Sequence, residues 1–378
     1  MSFRRPALRA CDKALAKSIT TPIPPKSQYC SSCRALSSPK RSSQEIKLSE
    51  RSFPSCVSKP SYASRFSTPK YTTHRASFAT YTRNMSEPTV HPLFEPITGT
   101  WQYIVADSNT KKAVIIDSVL NYDPIRAAVT TESADAILEA VEDNGYHVDM
   151  ILETHAHADH LTAASYLQSM LTKSQGSKPA IGIGSRIKQV QNLFGEKYGV
   201  LSKEYETVFD KLWKDDDEFA IGTLIARAVH LPGHTPDHMG YHIGSNVFVG
   251  DSIFHVDIGS ARADFPGGSA QDIFKSGRKL LALPEDTKIW VGHDYPPEGR
   301  NAPVPFATVK EHRENNKHLK DGTQEEEFVD MRRKRDATLA APRLIHPSLQ
   351  VNIRGGQLPA PSPSGVRMVH LPLASPPW

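Results

Sequence analysis

The hydrophobic positions of this chain fall into short runs of two kinds. Runs of three to nine residues that are largely apolar and rich in β-branched or aromatic side chains predict strands. Residues 99–106 and 113–117 are such runs, and the polar stretch 107–112 between them predicts a hairpin. Residues 148–154, 180–184, 223–231, 241–243, 246–249 and 288–291 continue the series. Other segments repeat their apolar residues at helical spacing. Residues 134–144 place Ile137, Leu138 and Val141 on one face and stop at Gly145. Residues 159–171, 269–283, 306–320 and 324–341 predict further helices, the second ending at Pro284. This alternation, with many hairpins, predicts an α/β fold in which sheets are covered by helices. No repeat of fixed length is visible. Residues 355–378 are Pro-rich and predict a tail or a strap across the surface. No apolar run approaches the ~18 residues of a membrane span.

Charge divides the chain in two. The formal net charge of +4 comes from 45 Lys and Arg against 41 Asp and Glu. Residues 1–84 hold 16 of those bases and 3 of the acids, which leaves 29 bases against 38 acids in the remainder, a net of −9. An acidic body has no electrostatic footing for nucleic acid. The front segment also carries 17 serines and only scattered apolar residues, too few to offset the entropy of ordering it. Arg-rich, Ser-rich and acid-poor is the composition of a mitochondrial transit peptide. The expected organisation is therefore a disordered presequence over 1–84, removed between Arg65 and Arg83 on entry to the mitochondrial matrix. A catalytic domain over 85–320 and a C-terminal helix and tail over 321–378 follow, the latter packing on the catalytic domain.

Cysteine adds an exclusion. All four cysteines (Cys11, Cys30, Cys33, Cys56) precede residue 84, so the body has no disulfide framework, no thiolate metal site and no cysteine nucleophile. Cys30-x-x-Cys33 is followed by no second pair and carries no site.

The chemistry concentrates in His155-Ala-His157-Ala-Asp159-His160, which follows the strand ending at Thr154. Four metal-competent side chains lie within six residues. In an extended loop residues two apart face the same way, so His155 and His157 share one cavity. Asp159 and His160 are expected to open the next helix, where a carboxylate suits the N-terminal dipole. More ligands stand at later strand ends: His234 in Pro-Gly-His-Thr, Asp251 in Gly-Asp-Ser, and His293 in Gly-His-Asp-Tyr295. Each follows a glycine, which admits close backbone approach. Singly, each reads as a loop histidine or a helix cap; together with the His cluster they read as a metal site.

In this order, Thr-His-x-His-x-Asp-His, Pro-Gly-His-Thr, Gly-Asp and Gly-His resemble the metallo-β-lactamase superfamily over about residues 95–300. The resemblance implies an αββα sandwich, two mixed sheets flanked by helices, with metal at one edge between the sheets. Two activities within it compete. Thr154-His-Ala-His-Ala-Asp-His-Leu-Thr162, Gly259-Ser-Ala-Arg-Ala-Asp-Phe265 and His293-Asp-Tyr295 resemble the persulfide dioxygenases. That likeness implies one Fe(2+) per chain held by His155, His234 and Asp251, with His157, Asp159, His160 and His293 around it. The substrates would be glutathione persulfide, or another thiol persulfide, and O2, giving sulfite and glutathione. Arg262, Tyr295 and, less directly, Arg300 are then the candidate substrate contacts, with a salt bridge from Arg262 to Asp257 or Asp264 as the structural alternative. The second activity resembles glyoxalase II, a thioester hydrolase with two Zn(2+), for which all seven residues are ligands and a helical glutathione-binding domain follows the last histidine. A non-catalytic metal- or thiol-binding sensor on the same fold is the reading from another class. The Pro-Pro loop 296–300 and residues 345–354 depart from the pattern and bear on the substrate clamp more than on the metal ligands. Oligomeric state is left open, a homodimer among the alternatives.

Overall fold

The computed structural model describes residues 87–374; the expected presequence and its cleavage site lie outside them. In chain order the first half contains β1 (Thr89–Glu95), β2 (Thr100–Ala106), β3 (Lys112–Ile116), β4 (Val119–Asp123), β5 (Ala128–Thr130), α1 (Glu132–Asp143), β6 (His147–Leu152), β7 (Leu161–Thr162), α2 (Ala164–Gln175), β8 (Ala180–Gly184), α3 (Ile187–Tyr198) and β9 (Lys211–Trp213). The second half contains β10 (Glu218–Ile221), β11 (Leu224–His230), β12 (Met239–Ile243), β13 (Asn246–Phe248), α4 (Ala270–Leu281), β14 (Lys288–Trp290), β15 (Phe306–Thr308), α5 (Val309–Asn315), α6 (Glu325–Asp336) and α7 (Ile345–Asn352).

Two six-stranded sheets result, ordered β1-β2-β3-β6-β8-β9 and β10-β11-β12-β13-β14-β15, with a small sheet β5-β4-β7 beside them. Both large sheets are mixed: β3, β6, β8 and β9 run parallel in the first, as do β13 and β14 in the second. Side chains alternate across a strand, and β2 shows the consequence. Tyr103 and Val105 point between the sheets, where they meet Tyr241, Phe248 and Trp290 of the second sheet. Ile104 and Ala106 point outward, beneath Ile137 of α1 and Leu167 of α2. A strand buried on both faces is apolar for most of its length, as 99–106 is, and the buried Gln102 within it accepts from Val119 N. The second sheet is covered in the same way: Val247 and Ile289 pack under Ile273 and Phe274 of α4 and Phe328 of α6. The layers are therefore helix, sheet, sheet, helix, the αββα sandwich expected. Among the described residues no helix is long and apolar enough to cross a membrane.

Two expected helices are corrected. The segment 159–171 does not begin a helix at Asp159. Leu161 and Thr162 pair with Leu120 and Val119, and α2 starts only at Ala164, so Asp159 caps nothing and lies in a loop. The segment 306–320 opens as a strand, Phe306–Thr308, paired with Lys288–Trp290. Its helix begins after Thr308, which accepts from Glu311 N while the Glu311 carboxylate accepts from Thr308 N. Strand β1, whose Pro92 is tolerated at a sheet edge, and helices α3 and α7 have no counterpart in the sequence reading.

The two sheets are tied at the hairpin end by Asp107. Its carboxylate accepts from Thr223 N (2.6 Å) and Thr223 Oγ1 (2.7 Å) in the β10–β11 turn, and from Asn109 N (2.9 Å) and Thr110 Oγ1 (2.8 Å) in its own turn. Burial works to raise the pKa of this carboxyl, but the four bonds outweigh it and hold the pKa well below the usual carboxylate value. Asp107→Ala is expected to cost about 1–3 kcal/mol at pH 7, since it removes four hydrogen bonds to a charged acceptor. The folded state holds the proton off more strongly than the unfolded chain, so this contribution is complete above a pH of about 4 and fades as the pH falls further. Urea unfolding of both proteins at pH 7 and pH 3 checks this; an equal gap at both values contradicts it.

Candidate metal centre

The proposed ligands stand at the carboxyl ends of four strands. His155 to His160 follow β6, His234 follows β11, Asp251 follows β13 and His293 follows β14. Backbone bonds across the sandwich gather these ends. Trp101 N donates to Gly292 O (2.8 Å), Asp294 N to Gly99 O (2.9 Å), and Met239 N to Thr154 O (2.8 Å). Two buried tyrosines brace the same loops, Tyr103 donating to Val291 O and Tyr241 to Glu153 O. Two glycines permit the crowding. Gly250 takes a left-handed φ of 46°, and a Cβ there would lie 2.3 Å from Thr154 Oγ1. A Cβ on Gly292 would lie 2.6 Å from Asp251 Oδ1.

All seven candidates converge. The ligand atoms of His155, His234 and Asp251 lie within 4.8 Å of one another, and so do those of Asp159, Asp251 and His293 and those of His157, Asp159 and His160. Asp251 faces both ways, Oδ2 being 3.6 Å from His234 Nε2 and Oδ1 3.5 Å from His293 Nε2. Six of the seven are buried, and Asp159 is partly so.

Each ring is held by its outer nitrogen. The His155 Nδ1–H donates to Thr154 Oγ1 (2.9 Å), whose own proton goes to Asp117 Oδ2 (2.9 Å). The His234 Nδ1–H donates to Arg262 O (2.8 Å), and that of His293 to Gly99 O (3.3 Å). The His160 Nδ1–H donates to Asp159 Oδ2 (3.3 Å). His157 is the reverse: its Nε2–H lies between Asp117 Oδ1 (3.2 Å) and Glu153 Oε2 (3.3 Å). The nitrogens left without a protein partner are His155 Nε2, His157 Nδ1, His160 Nε2 and His293 Nε2, together with Asp251 Oδ1. Five buried polar atoms without partners, all in one cluster, are what a metal site shows when its ligands are oriented by outer hydrogen bonds. Imidazole and carboxylate donors without thiolate suit Zn(2+) or Fe(2+). Residues His155, His234 and Asp251 would hold one ion, and Asp159, either with Asp251 and His293 or with His157 and His160, a second.

The cluster carries strong electrostatic asymmetry. Burial, and then the neighbouring imidazoles, push the His155 pKa far below its usual value. Burial acts likewise on His157, but Asp117 and Glu153 outweigh it and raise that pKa well above the usual value. Asp159 is held low against its burial by His293 and His160.

Sequence reading missed several supports. Asp117 adopts a left-handed φ of 52° and serves both Thr154 and His157; an Asp directly after the apolar run of β3 was its only signal. His238 stacks on His155 at 4.6 Å and accepts from Asp251 N through Nε2. Asn352 of α7 donates to His157 O (2.7 Å) and His160 O (2.8 Å) and accepts from Thr162 N (2.8 Å), so the C-terminal segment shapes the ligand loop.

A cavity of about 380 Å³ opens over the cluster, lined by Asp159, His234, Asp251 and His293 and, toward solvent, by Ile97, Tyr295 and several arginines. Of the three expected substrate contacts, Arg262 and Tyr295 line it. Arg262 makes a two-pronged ion pair with Asp264 and donates to Ala340 O, and its carbonyl orients His234. Tyr295 stacks on His293 at 5.7 Å and donates to Thr98 O. Arg300 is corrected: it does not line the cavity but is consumed by Asp257 and the buried Asp294, pinning the Pro-Pro loop.

Residues 97–293 match the family model described as the Metallo-beta-lactamase superfamily. A Dictyostelium discoideum protein named Glyoxylase B2 is 44% identical over 77% of this chain and 98% of its own length. The mitochondrial persulfide dioxygenase ETHE1 of Homo sapiens is 28% identical over 70% of this chain and 87% of its own. The crystal structure of ETHE1 from Myxococcus xanthus superposes with a TM-score of 0.55 at 26% identity, covering 71% of this chain and 100% of that one.

Asn352→Ala removes both donors from the ligand loop. It is expected to weaken metal binding about 10–100-fold, the usual range for supports of this kind. Competition with a chromogenic chelator reads this directly, and unchanged affinity would show that α7 has no part in shaping the site.

Proposed function

The chain belongs to the Metallo-beta-lactamase superfamily, and on that premise we propose that it is a mononuclear Fe(2+) persulfide dioxygenase. The observation carrying this reading is the buried triad His155, His234 and Asp251, two imidazoles and a carboxylate with ligand atoms within 4.8 Å. Two histidines and one carboxylate leave positions for substrate and O2 on non-haem iron. The likeness to the human persulfide dioxygenase and to the Myxococcus structure supports it. So does the chain after His293: α6 packs on α4 and α7 on α3, so these helices cover the sandwich and form no separate glutathione-binding domain.

The overall reaction is glutathione persulfide plus O2 and water giving glutathione, sulfite and two protons. Iron, when bound, supplies the one-electron chemistry that O2 requires and zinc lacks. The protein's part is orientation and exclusion. His234 and Asp251 face the cavity, so a sulfur entering there meets the triad. Phe254, Ile258 and Ala261 line the way in and limit water. Tyr295 forms the wall over His293; its hydroxyl is already committed to Thr98. Residues 1–84 are proposed to direct the chain to the mitochondrial matrix.

One observation favours a second reading. Asp251 presents one oxygen to His234 and the other to His293, as the bridge of a two-zinc hydrolase would, and the Dictyostelium relative bears a glyoxylase name. There the metals would lower the pKa of water to about 7 for attack on an acyl-glutathione.

The test purifies the protein with and without air, counts iron and zinc per chain, and follows O2 uptake with glutathione persulfide. One iron, with sulfite formed in step with O2, is the expected result. Two zincs with lactoylglutathione hydrolysis and no O2 uptake overturn it. His160→Ala separates the two independently: the dioxygenase keeps its iron, whereas the hydrolase loses one of two metals.

A further inference from the structure

Four arginines line the cavity over the cluster: Arg262, Arg332, Arg335 and Arg343. Two are spent. Arg262 is paired with Asp264. Arg332 is buried, paired with Asp336, and donates to Ser260 O. Arg335, at the end of α6, and Arg343, in the loop before α7, are exposed. Among the described residues neither side chain makes an ion pair or a hydrogen bond.

The charge layout of the cavity is thus graded. Its buried side holds Asp159 and Asp251, whose charge a metal ion would offset. Its open side holds two guanidinium groups without counter-ions, on a body that is acidic overall. The apolar Leu339 and Pro342 line the same cavity. A ligand that fits this order has a sulfur end for the metal, a short stem, and anionic groups at the far end. The volume, about 380 Å³, falls in the usual range for a small-molecule site, about 300–1,000 Å³. Planar guanidinium groups match carboxylates in paired hydrogen bonds.

We propose that Arg335 and Arg343 are specificity residues that bind the carboxylates of a dicarboxylate thiol carrier, leaving its sulfur at His234 and Asp251. This rests on the reading that the site takes a thiol-borne substrate, but not on whether that substrate is oxidised or hydrolysed. Both arginines come from the segment after the last metal ligand, so the groups that choose the carrier and the metal ligands themselves are supplied by different parts of the chain.

The test is calorimetric titration of the metal-loaded protein with S-methylglutathione, which keeps both carboxylates and carries no group to be turned over. Arg335→Gln and Arg343→Gln are each expected to weaken binding about tenfold, as loss of one charge-assisted pair does, and the double variant more. The diethyl ester of S-methylglutathione should bind the wild type about as weakly as the acid binds the double variant. Arg333→Gln, on the same helix but outside this cavity, should change nothing. Metal content and melting temperature should be unchanged throughout, because both side chains are exposed. Equal binding of acid and ester, an unaltered double variant, or no binding by the wild type overturns the proposal. Turnover is read separately. O2 uptake whose KM for glutathione persulfide is unmoved in the double variant sinks the clamp and leaves the dioxygenase. Binding lost in the double variant of a protein that takes up no O2 sustains the clamp and sinks the dioxygenase.

Discussion

Five imidazoles crowd one end of this sandwich, and any of them that holds a metal ion must present a lone pair inward. A neutral ring carries its proton on either nitrogen, and only a partner for the outer one decides which. The structure supplies such a partner every time: Thr154 for His155, Asp117 and Glu153 for His157, Asp159 for His160, and backbone carbonyls for His234 and His293. Asp117 is the centre of this arrangement. It accepts from Thr154 N and Thr154 Oγ1 and pairs with His157, and so fixes two rings through one carboxylate. Its left-handed backbone conformation is uncommon for a residue other than glycine. The bonds that Asp117 collects there compensate for it.

The sandwich exists to make that arrangement rigid. The ligand loops leave strands of both sheets, so their separation is set by how the inner faces pack. Tyr103, Tyr241, Phe248 and Trp290 fill that space, and the two tyrosines turn their hydroxyls onto the carbonyls of the ligand loops. Packing and hydrogen bonding therefore fix the same distance. The C-terminal segment adds a third constraint from outside, since Asn352 is bonded to the loop that carries four of the seven ligands.

With the proposed clamp, the same segment separates substrate binding from chemistry. The loops that supply donors hold buried carboxylates and little exposed charge. The stretch from α6 to α7 supplies exposed cations at the cavity mouth without touching the ligand atoms. Such a division lets the carrier end of a substrate be selected by residues whose replacement does not disturb the metal, while the reacting end meets an unchanged centre.

Much of this was written in the order of the residues. Apolar, β-branched and aromatic runs in 99–106 and 148–154 specified strands, and His155 to His160, His234, Asp251 and His293 announced their chemistry by residue type and by standing at strand ends. Local pattern failed where a distant strand took a residue away from its helix. Leu161 and Thr162 were claimed by β4, and Phe306 to Thr308 by β14, so Asp159 entered the site from a loop and not from a helix start. It failed again for charge. Arg262, Arg300, Arg335 and Arg343 are alike in sequence, but Asp264 occupies the first, Asp257 and Asp294 consume the second, and the last two remain free. The identity of a donor belongs to its own residue and can be read singly. Which nitrogen faces inward, and which cation has no partner, depend on groups up to two hundred positions away, and only the folded chain brings those together.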